Sequence, residues 1–525
     1  MTIKHNIRLV TLTVSAVHRH VSTNAVDFLR KLREWTRLNV SVGKHVAGKT
    51  LDVAIAIASR RDHEGHELLD DGQLTVARQV AGAQGDRALI RRIDRIEAGF
   101  GQPRYRVVPH VNRSHPARVL YVVNNCLPYT NSGYTARTQR LLIALAKQGV
   151  EVNACTRLNY PVIVGKWPES DATTMESITY HHLLPWVVSS DENAKFEQSV
   201  NLLSGLVREL NPSVLHTTTD FHNANVVSTV AERYGLPWVY EVRGELENTW
   251  LSKRPSDRRD YAQMSEYYRG MRMAENEAVR KANAVICLSE VSKARLVSNG
   301  ADPDMTFVVP NSIDAEVLEK NFDVAQIRKE LGLGYVDGPL IGTVTSVVSY
   351  EGLHTLIEAM EYLPSEIKAV VVGDGRARPE LEELARQRDL AGRVLFVGRK
   401  PQTHIWKWYA ALDIFILPRV NSDVTRSVTP IKPLTAMALG VPVVASDLPA
   451  LKEVTGGFAR YFPAEDSKSL AEEIVAALDK ENQTEGENAD MIEWLRTRTW
   501  DSAAASIIDI YRLGGAWLPY LPDHY

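Results

Sequence analysis

The feature that most constrains this chain is a repeated alternation of short apolar runs with helical sequence. RVLYVV (118–123) leads through the loop LPYTNSGY (127–134) into a helical pattern from Thr135 to Gln148. Gly149 ends that pattern, and VEVNACT (150–156) is the next apolar run. Runs with no polar alternation mark strands buried on both faces. Strand, glycine-bearing loop, helix, glycine, strand is a βαβ unit. The pattern returns at SVLHTTT (213–219), PWVYEVRG (237–244), AVICLS (284–289) and FVVPNSID (307–314). It begins again after about residue 330, at PLIGTVTS (339–346), IKAVVVGDG (367–375), VLFVG (394–398), DIFILP (413–418) and PVVASD (442–447). Two successive α/β blocks are predicted, each a doubly wound parallel sheet.

Charge divides the chain further. Residues 1–110 carry 18 Lys+Arg against 11 Asp+Glu, and the remainder 43 against 53. A basic first stretch on a chain of net charge −3 reads as a separate unit. Its segments Asn24–Leu38 and Gln73–Ala98 are predicted helical. In the first, Val26, Leu29, Leu32 and Trp35 recur at helical spacing, with Arg30, Lys31, Arg33 and Arg37 largely between them. The predicted organisation is a helical basic extension (1–115, with a linker at 103–116), a first Rossmann-like domain (116–330) and a second (331–499). A final helix and tail (500–525) packs back toward the first Rossmann-like domain. The near-neutral total excludes a general nucleic-acid-binding character. Cys126, Cys155 and Cys287 are too few and too scattered for a disulfide scaffold or a zinc site, and suit a reducing cytoplasm. No apolar stretch of about 18 residues occurs. Membrane contact, if present, is therefore peripheral.

Ligands of open α/β sheets bind beyond the carboxyl ends of strands. The loops there hold the candidate residues. Gly373 and Gly375, in VVVGDG, permit tight turning and close approach of backbone to a ligand, or simply a sharp βα turn. Thr429-Pro430 reads as a helix entry with Lys432 beside it: either an anion site or a capped helix with a solvated lysine. Arg243 stands among Glu241, Glu245 and Glu247, as a substrate clamp or a surface ion-pair group. Ser132-Gly133 opens the helix after the first strand. HEGHE (63–67) has metal-like residue types but no third ligand, and reads as a solvated loop.

Seven segments, in order, resemble family 4 glycosyltransferases of the GT-B fold: LPYTNSGYTAR, PWVYEVRG, PNSID (310–314), YEGLHTLIEAM (350–360), VVVGDG, VLFVGRK (394–400) and KPLTAMALGVPVVASD (432–447). The resemblance covers residues 117 to about 513. It is to members acting on cell-surface polysaccharides and glycolipids. It implies two facing Rossmann-like domains, a nucleotide-sugar donor and a glycan or glycolipid acceptor. It also implies transfer with retention of configuration and without a metal or other cofactor. By position, Ser132 and Gly133 would face the donor phosphates, and Arg243 would line the cleft near the acceptor or leaving group. Gly373 and Gly375 would border the base pocket. Arg399 and Lys400 would meet the base, and Lys432 the sugar or diphosphate.

The sequence departs from the family at four positions. The family's pair of glutamates before the AMA-type helix falls on Ser427 and Thr435. Threonine cannot reproduce a charge-assisted hydrogen bond to a ribose diol, a loss of about 1.5–3 kcal/mol. The family's phosphate-binding Arg and Lys near YEG fall on Ser346 and Glu351. Glu351 is expected to repel phosphate unless it meets a hydroxyl or a cation. Arg419, Arg426 and Lys432 are candidates to compensate. Three functions stay open: a retaining glycosyltransferase, a catalytically weak GT-B partner or scaffold subunit of a glycosyltransferase complex, and a sugar-nucleotide epimerase or phosphorylase on the same fold. For residues 1–115, peripheral membrane contact, protein contact, a cover over the acceptor domain and a solvated helical appendage stay open.

Overall fold

A computed structural model gives the architecture. The structure describes residues 4–13, 63–101, 117–334, 336–479 and 485–516. The helix expected at Asn24–Leu38 and the linker at 103–116 lie outside the described residues. The chain forms two compact units. One comprises 1–285, 299–305 and 510–525; the other comprises 286–298 and 306–509.

The first unit begins with a helix, α1, over residues 4–13. Three helices follow: α2 (His63–Asp70), α3 (Leu74–Gln84) and α4 (Arg87–Phe100). The single helix expected at Gln73–Ala98 is thus two. Gly85 adopts a left-handed conformation (φ 71°) that ends α3, and the Asp86 carboxylate caps α4 through Ala88 N and Leu89 N. HEGHE is helical, not a loop. Leu69 of the same helix packs with Leu74, Ala77, Ala81, Leu89 and Ile93, and that apolar contact outweighs the polar residues around it.

The sheet of this region contains β1 (Arg118–Val123), β2 (Glu151–Thr156), β3 (Ala172–Met175), β4 (Ile178–His182), β5 (Val214–Thr218), β6 (Trp238–Val242), β7 (Ala284–Cys287) and β8 (Thr306–Val308). Their order is β3-β4-β2-β1-β5-β6-β7-β8, and the division between the units runs through β7. β1 pairs parallel with β2 and β5, β2 with β4, and β5 with β6; β3 alone is shown antiparallel, to β4. The helices that matter for the site are α5 (Gly133–Lys147), α6 (Glu192–Leu210), α7 (Phe221–Tyr234) and α8 (Glu266–Lys281).

The second unit holds β9 (Leu340–Val344), β10 (Lys368–Val372), β11 (Val394–Gly398), β12 (Ile414–Leu417), β13 (Val443–Ser446) and β14 (Arg460–Phe462). Every pairing is parallel, in the order β11-β10-β9-β12-β13-β14. Counted along the chain, this is the 3-2-1-4-5-6 order of a dinucleotide-binding fold. The apolar runs are continuous because both faces are covered. Val370, Phe415 and Ala445 belong to one core cluster, and Val371, Ile416 and Val444 to the other. Three helices here carry or flank the candidate residues: α9 (Leu353–Ala359), α10 (Asp423–Ser427) and α11 (Lys432–Ala438). The last helix, α12 (Trp500–Leu513), runs from the second unit into the first, where its Tyr511 hydroxyl lies 2.7 Å from His216 Nδ1.

Candidate functional site

In the second unit, strand order reverses between β9 and β12, so the loops after these strands flank the switch-point crevice. Residue 351 follows β9, and residue 419 follows β12. The two meet: Arg419 Nη2 donates to Glu351 Oε1 at 3.1 Å. Lys432, the first residue of α11, reaches the same oxygen at 2.7 Å and also donates to the Thr345 hydroxyl. Burial alone would raise the Glu351 carboxyl, but Arg419 and Lys432 outweigh it and hold it at about 2. Burial lowers Lys432, with Glu351 opposing. Of the alternatives the sequence leaves for Glu351, phosphate repulsion or pairing with a hydroxyl or a cation, the structure shows the cation. Glu351 is enclosed and neutralised, and one carboxylate between two cations leaves the cluster with a surplus positive charge.

The cations differ in reach. Arg419 spends Nε and Nη2 on Glu351 and Nη1 on the Val428 carbonyl, and its side chain is 7 % exposed. Lys432 is 20 % exposed. An ammonium has three protons, and the bonds to Glu351 and Thr345 use two.

Glycines fix how the loops fit. A Cβ on Gly373 would run into Thr345 O, one on Gly375 into Val347 O, and one on Gly352 into Pro418 O. The close approach expected of Gly373 and Gly375 is therefore to the chain's own β9 loop. Gly373 also has φ 143°, which side chains rarely adopt. Thr429-Pro430 is not the helix entry. α11 starts after Ile431 with no side-chain cap, and Pro433, not Pro430, is the proline of its first turn. The buried Thr429 hydroxyl has no partner.

The remaining candidates of this unit lie on its other loops and helices. Ser346 is exposed. Thr435 is half-buried on α11, three positions after Lys432. Ser427 turns its hydroxyl back to Asp423 O at 2.9 Å. Arg426 is exposed on α10 and contacts Asn421. Arg399 is exposed after β11, and Lys400 lies over the Trp408 ring at 4.8 Å.

In the first unit, Ser132 caps α5 in a reciprocal box with Thr135, and Gly133 is exposed with nothing within 4 Å of where a Cβ would sit. Arg243 is not at the surface, which corrects the reading of it as a surface ion-pair group. Its side chain is 2 % exposed, donating to Glu241 Oε2 at 2.6 Å, Thr138 Oγ1 at 2.7 Å and Tyr121 Oη at 2.9 Å. Arg137 binds the other Glu241 oxygen at 2.7 Å. Of the three glutamates around Arg243 in sequence, Glu241 forms an ion pair with it. Burial would raise Glu241, but the two guanidinium groups hold it well below its ordinary value. This network braces the ends of β1 and β6 against α5. Sequence reasoning missed Arg137, Tyr121 and His216, which only the topology brings together.

Among the described residues, no group of three or more His, Cys, Asp or Glu is placed to hold a metal ion. His66 of HEGHE lies 3.6 Å from Asp86. No described helix is long and apolar enough to cross a membrane.

Comparison with known proteins agrees with this geometry. Residues 132–312 match the glycosyl transferase 4-like domain, and residues 338–480 match glycosyl transferases group 1. Together these segments make up more than half of the chain. The D-inositol 3-phosphate glycosyltransferase of Xylanimonas cellulosilytica is 29 % identical over 46 % of this chain and 60 % of its own length. The lipopolysaccharide core biosynthesis mannosyltransferase LpsB of Rhizobium meliloti is 32 % identical over 38 % of this chain and 57 % of its own. The chain thus spans less than two thirds of these relatives. Among solved structures, sucrose-phosphate synthase from Thermosynechococcus elongatus aligns with TM-score 0.60 at 20 % identity, covering 75 % of this chain and 98 % of that one. Anabaena HepE, solved with UDP and glucose, aligns with TM-score 0.57 at 17 % identity, covering 75 % and 99 %. Two parallel-sheet α/β units, a 3-2-1-4-5-6 sheet in the second and both matched segments lead to one conclusion: the chain belongs to the family 4 glycosyltransferases of the GT-B fold.

Proposed function

We propose that this protein transfers a sugar from a nucleotide-sugar donor to a glycan or glycolipid acceptor, with retention of configuration and without a metal. The observation that carries this is the Lys432–Glu351–Arg419 cluster at the switch point of the second sheet. Glycosyl transfer puts negative charge on a departing nucleoside diphosphate, and a preorganised cation there stabilises the transition state. Lys432 is the member with reach, so it is the residue assigned to the diphosphate or sugar. Arg419 and Glu351 are positioning residues that hold the ammonium in place. Thr435 lies on the same helix and would meet the ribose by a neutral hydrogen bond. Ser346, Gly373, Gly375, Arg399, Lys400 and Arg426 form the rest of the assigned donor surface, the glycines through backbone alone. Ser132 and Gly133 would contribute amides at the start of α5, where no side chain stands in the way. Arg243 acts through Glu241 and does not touch substrate.

The named relatives act on inositol phosphate and lipopolysaccharide core, and HepE was solved with UDP-glucose. These support a UDP-linked donor and a cell-envelope acceptor here. Three buried free thiols support action in a reducing compartment, on the cytoplasmic side. The domain limits proposed from sequence, 116–330 and 331–499, are kept as functional divisions, with 1–115 available for protein or peripheral membrane contact.

The test is release of nucleoside diphosphate from UDP-, GDP- and ADP-sugars in the presence of a bacterial glycolipid extract. Retention is read from the anomeric coupling of the NMR-resolved product. No release with any donor sinks the proposal. Thr435 favours one second reading, a non-catalytic partner subunit, because the family's donor-binding carboxylate is lost there. A Thr435→Glu variant separates the two. Nucleotide binding that appears only in the variant identifies a decayed site, whereas unchanged or lower turnover identifies threonine as native to an active one.

A further inference from the structure

Helix α1 turns apolar residues in two directions. Leu9 and Leu12 pack with Val162, Leu184 and Val188, and that contact seats the helix on the first unit. Its ends are tied as well. His5 Nε2 lies 3.0 Å from Pro168 O, and Trp167 Nε1 donates to Thr13 Oγ1 at 3.0 Å. Ile7 and Val10 lie on the other side of the helix, where a helix resting on a globular domain ordinarily shows polar residues. Around them stand Ile163, Trp167, Trp186 and Val187, and all six residues are between 44 and 57 % exposed. Trp186 also touches α1, with the Arg8 guanidinium 5.8 Å from its ring centre. These contacts gather the six into one patch, and a contiguous exposed apolar patch marks a surface that something covers.

Three features identify what covers it. First, the patch mixes aliphatic side chains with two tryptophans, the composition of a surface that enters the headgroup boundary of a bilayer. The one N–H of the Trp167 indole is already bound to Thr13, so its ring can enter an apolar medium without losing a polar partner. Second, the free charge beside the patch is mostly positive. α1 contains no acidic residue. Lys4 and Lys166 are exposed and make no ion pair among the described residues, whereas Asp171 is occupied by Arg8. Glu169 is the neighbouring exposed acid.

Third, α4 adds a basic stripe. Arg87, Arg91 and Arg95 recur every four residues, so they share a face that continues to Ala98, and none makes an ion pair among the described residues. A cavity of about 610 Å3 has both Ala98 and Ile163 in its lining, and both residues are exposed. The basic stripe and the apolar patch therefore border the same opening. A bilayer satisfies both at once, since apolar side chains enter the acyl boundary while cations meet headgroup phosphates.

We propose that the first unit docks on an anionic phospholipid bilayer through this surface. Ile7, Val10, Trp167 and Trp186 enter the interface, and Lys4, Lys166, Arg87 and Arg91 meet the headgroups. α1 and α4 lie ahead of both matched family segments, so the surface belongs to what this chain adds to the fold. It assigns to particular residues the peripheral contact left open for 1–115, and it does not rest on the sugar-transfer reading.

The experiment is flotation of the full chain with vesicles of phosphatidylcholine alone and of phosphatidylcholine with phosphatidylglycerol in equal parts. The native protein should float with the mixed vesicles and far less with the neutral ones. Ile7→Glu with Val10→Glu should weaken binding by at least about tenfold, because binding scales with the apolar area inserted. Arg87→Gln with Arg91→Gln should weaken binding to the mixed vesicles by about tenfold or more. Val475→Glu, at an equally exposed valine of the second unit, should bind as the native protein does. A second readout needs no charge reversal. Mixed vesicles with brominated acyl chains should quench the native tryptophan emission, and Trp167→Phe with Trp186→Phe should remove most of that quenching. No flotation with the mixed vesicles, full binding by the Ile7 and Val10 double variant, or quenching unchanged in the tryptophan pair overturns the proposal. So does a dimer in sedimentation velocity that the Ile7 and Val10 double variant dissociates, without vesicle binding, since a second copy then covers the patch. Vesicle binding by a protein that releases no nucleoside diphosphate contradicts the transferase reading and leaves the docking surface standing.

Discussion

Lys432 Nζ and Arg419 Nη2 converge on a single oxygen of Glu351, at 2.7 and 3.1 Å. A carboxylate from the first strand's loop thereby locks two cations that arrive from beyond the fourth strand of the same sheet. The lock has consequences for stability and for acid tolerance.

Glu351→Gln should destabilise the second unit by about 3 kcal/mol, because two buried cations lose their counter-charge. The acid behaviour follows from sign. The folded carboxyl sits at about 2 against an ordinary 4.5, so its contribution is present above pH 4.5 and is lost as pH falls toward 2. Urea unfolding followed between pH 6 and pH 2.5 should show this loss in the native protein and a shallower slope in the variant. Equal slopes would mean that the lock contributes nothing.

The network beneath Arg243 gives an ordering. Glu241 is the single carboxylate between Arg137 and Arg243. Glu241→Gln leaves two buried guanidinium groups unmatched and should cost about 3–5 kcal/mol. Arg243→Met leaves the Arg137–Glu241 pair balanced and should cost less. Denaturant midpoints for the two variants check the order, and the reverse order would assign Arg243 a role beyond bracing.

Glu275 should carry an opposite pH dependence. Burial raises its carboxyl to about 8, while Tyr240 Oη at 2.6 Å and Phe221 N at 2.9 Å partly oppose the rise. A raised carboxyl favours folding most below its ordinary 4.5, and that advantage is lost as pH climbs to about 8. Glutamine can keep both bonds, accepting from Phe221 N and donating to the Tyr240 hydroxyl. Glu275→Gln should therefore raise Tm relative to the native protein at pH 9 and show little difference at pH 5. A constant difference across that range would contradict the assignment.

The strands were legible because runs such as Val370–Val372 carry apolar side chains on both faces, and a parallel sheet covers both. Gly373 and Gly375 were legible as points of close approach. That the approaching partner is the chain's own Thr345 and Val347 was not, since a glycine signals room and not what fills it. Lys432 was legible as a cation near a helix start, but its helix opens at the second of two nearby prolines, a choice that depends on packing. Arg419 and Lys432 were legible as candidates to offset Glu351, but their pairing with it was not, because they lie 68 and 81 positions away. The same holds for Arg243, whose partners Tyr121 and Thr138 arrive from β1 and α5. Long-range ion pairing leaves no periodic trace in sequence.

On the proposed function, the second unit binds a nucleoside diphosphate-sugar through Lys432. The most direct test of this is a thermal-shift screen of the native protein and of Lys432→Met against UDP, GDP, ADP, TDP and CDP and their common sugar conjugates. A ligand at 100 times its Kd adds about 2.7 kcal/mol of stability. Removing one charge-assisted hydrogen bond should weaken binding by about 10- to 100-fold. Tm should rise clearly with one base in the native protein, and the rise should nearly disappear at the same concentration in the variant. A flat response across the panel, or an equal rise in both proteins, would contradict it.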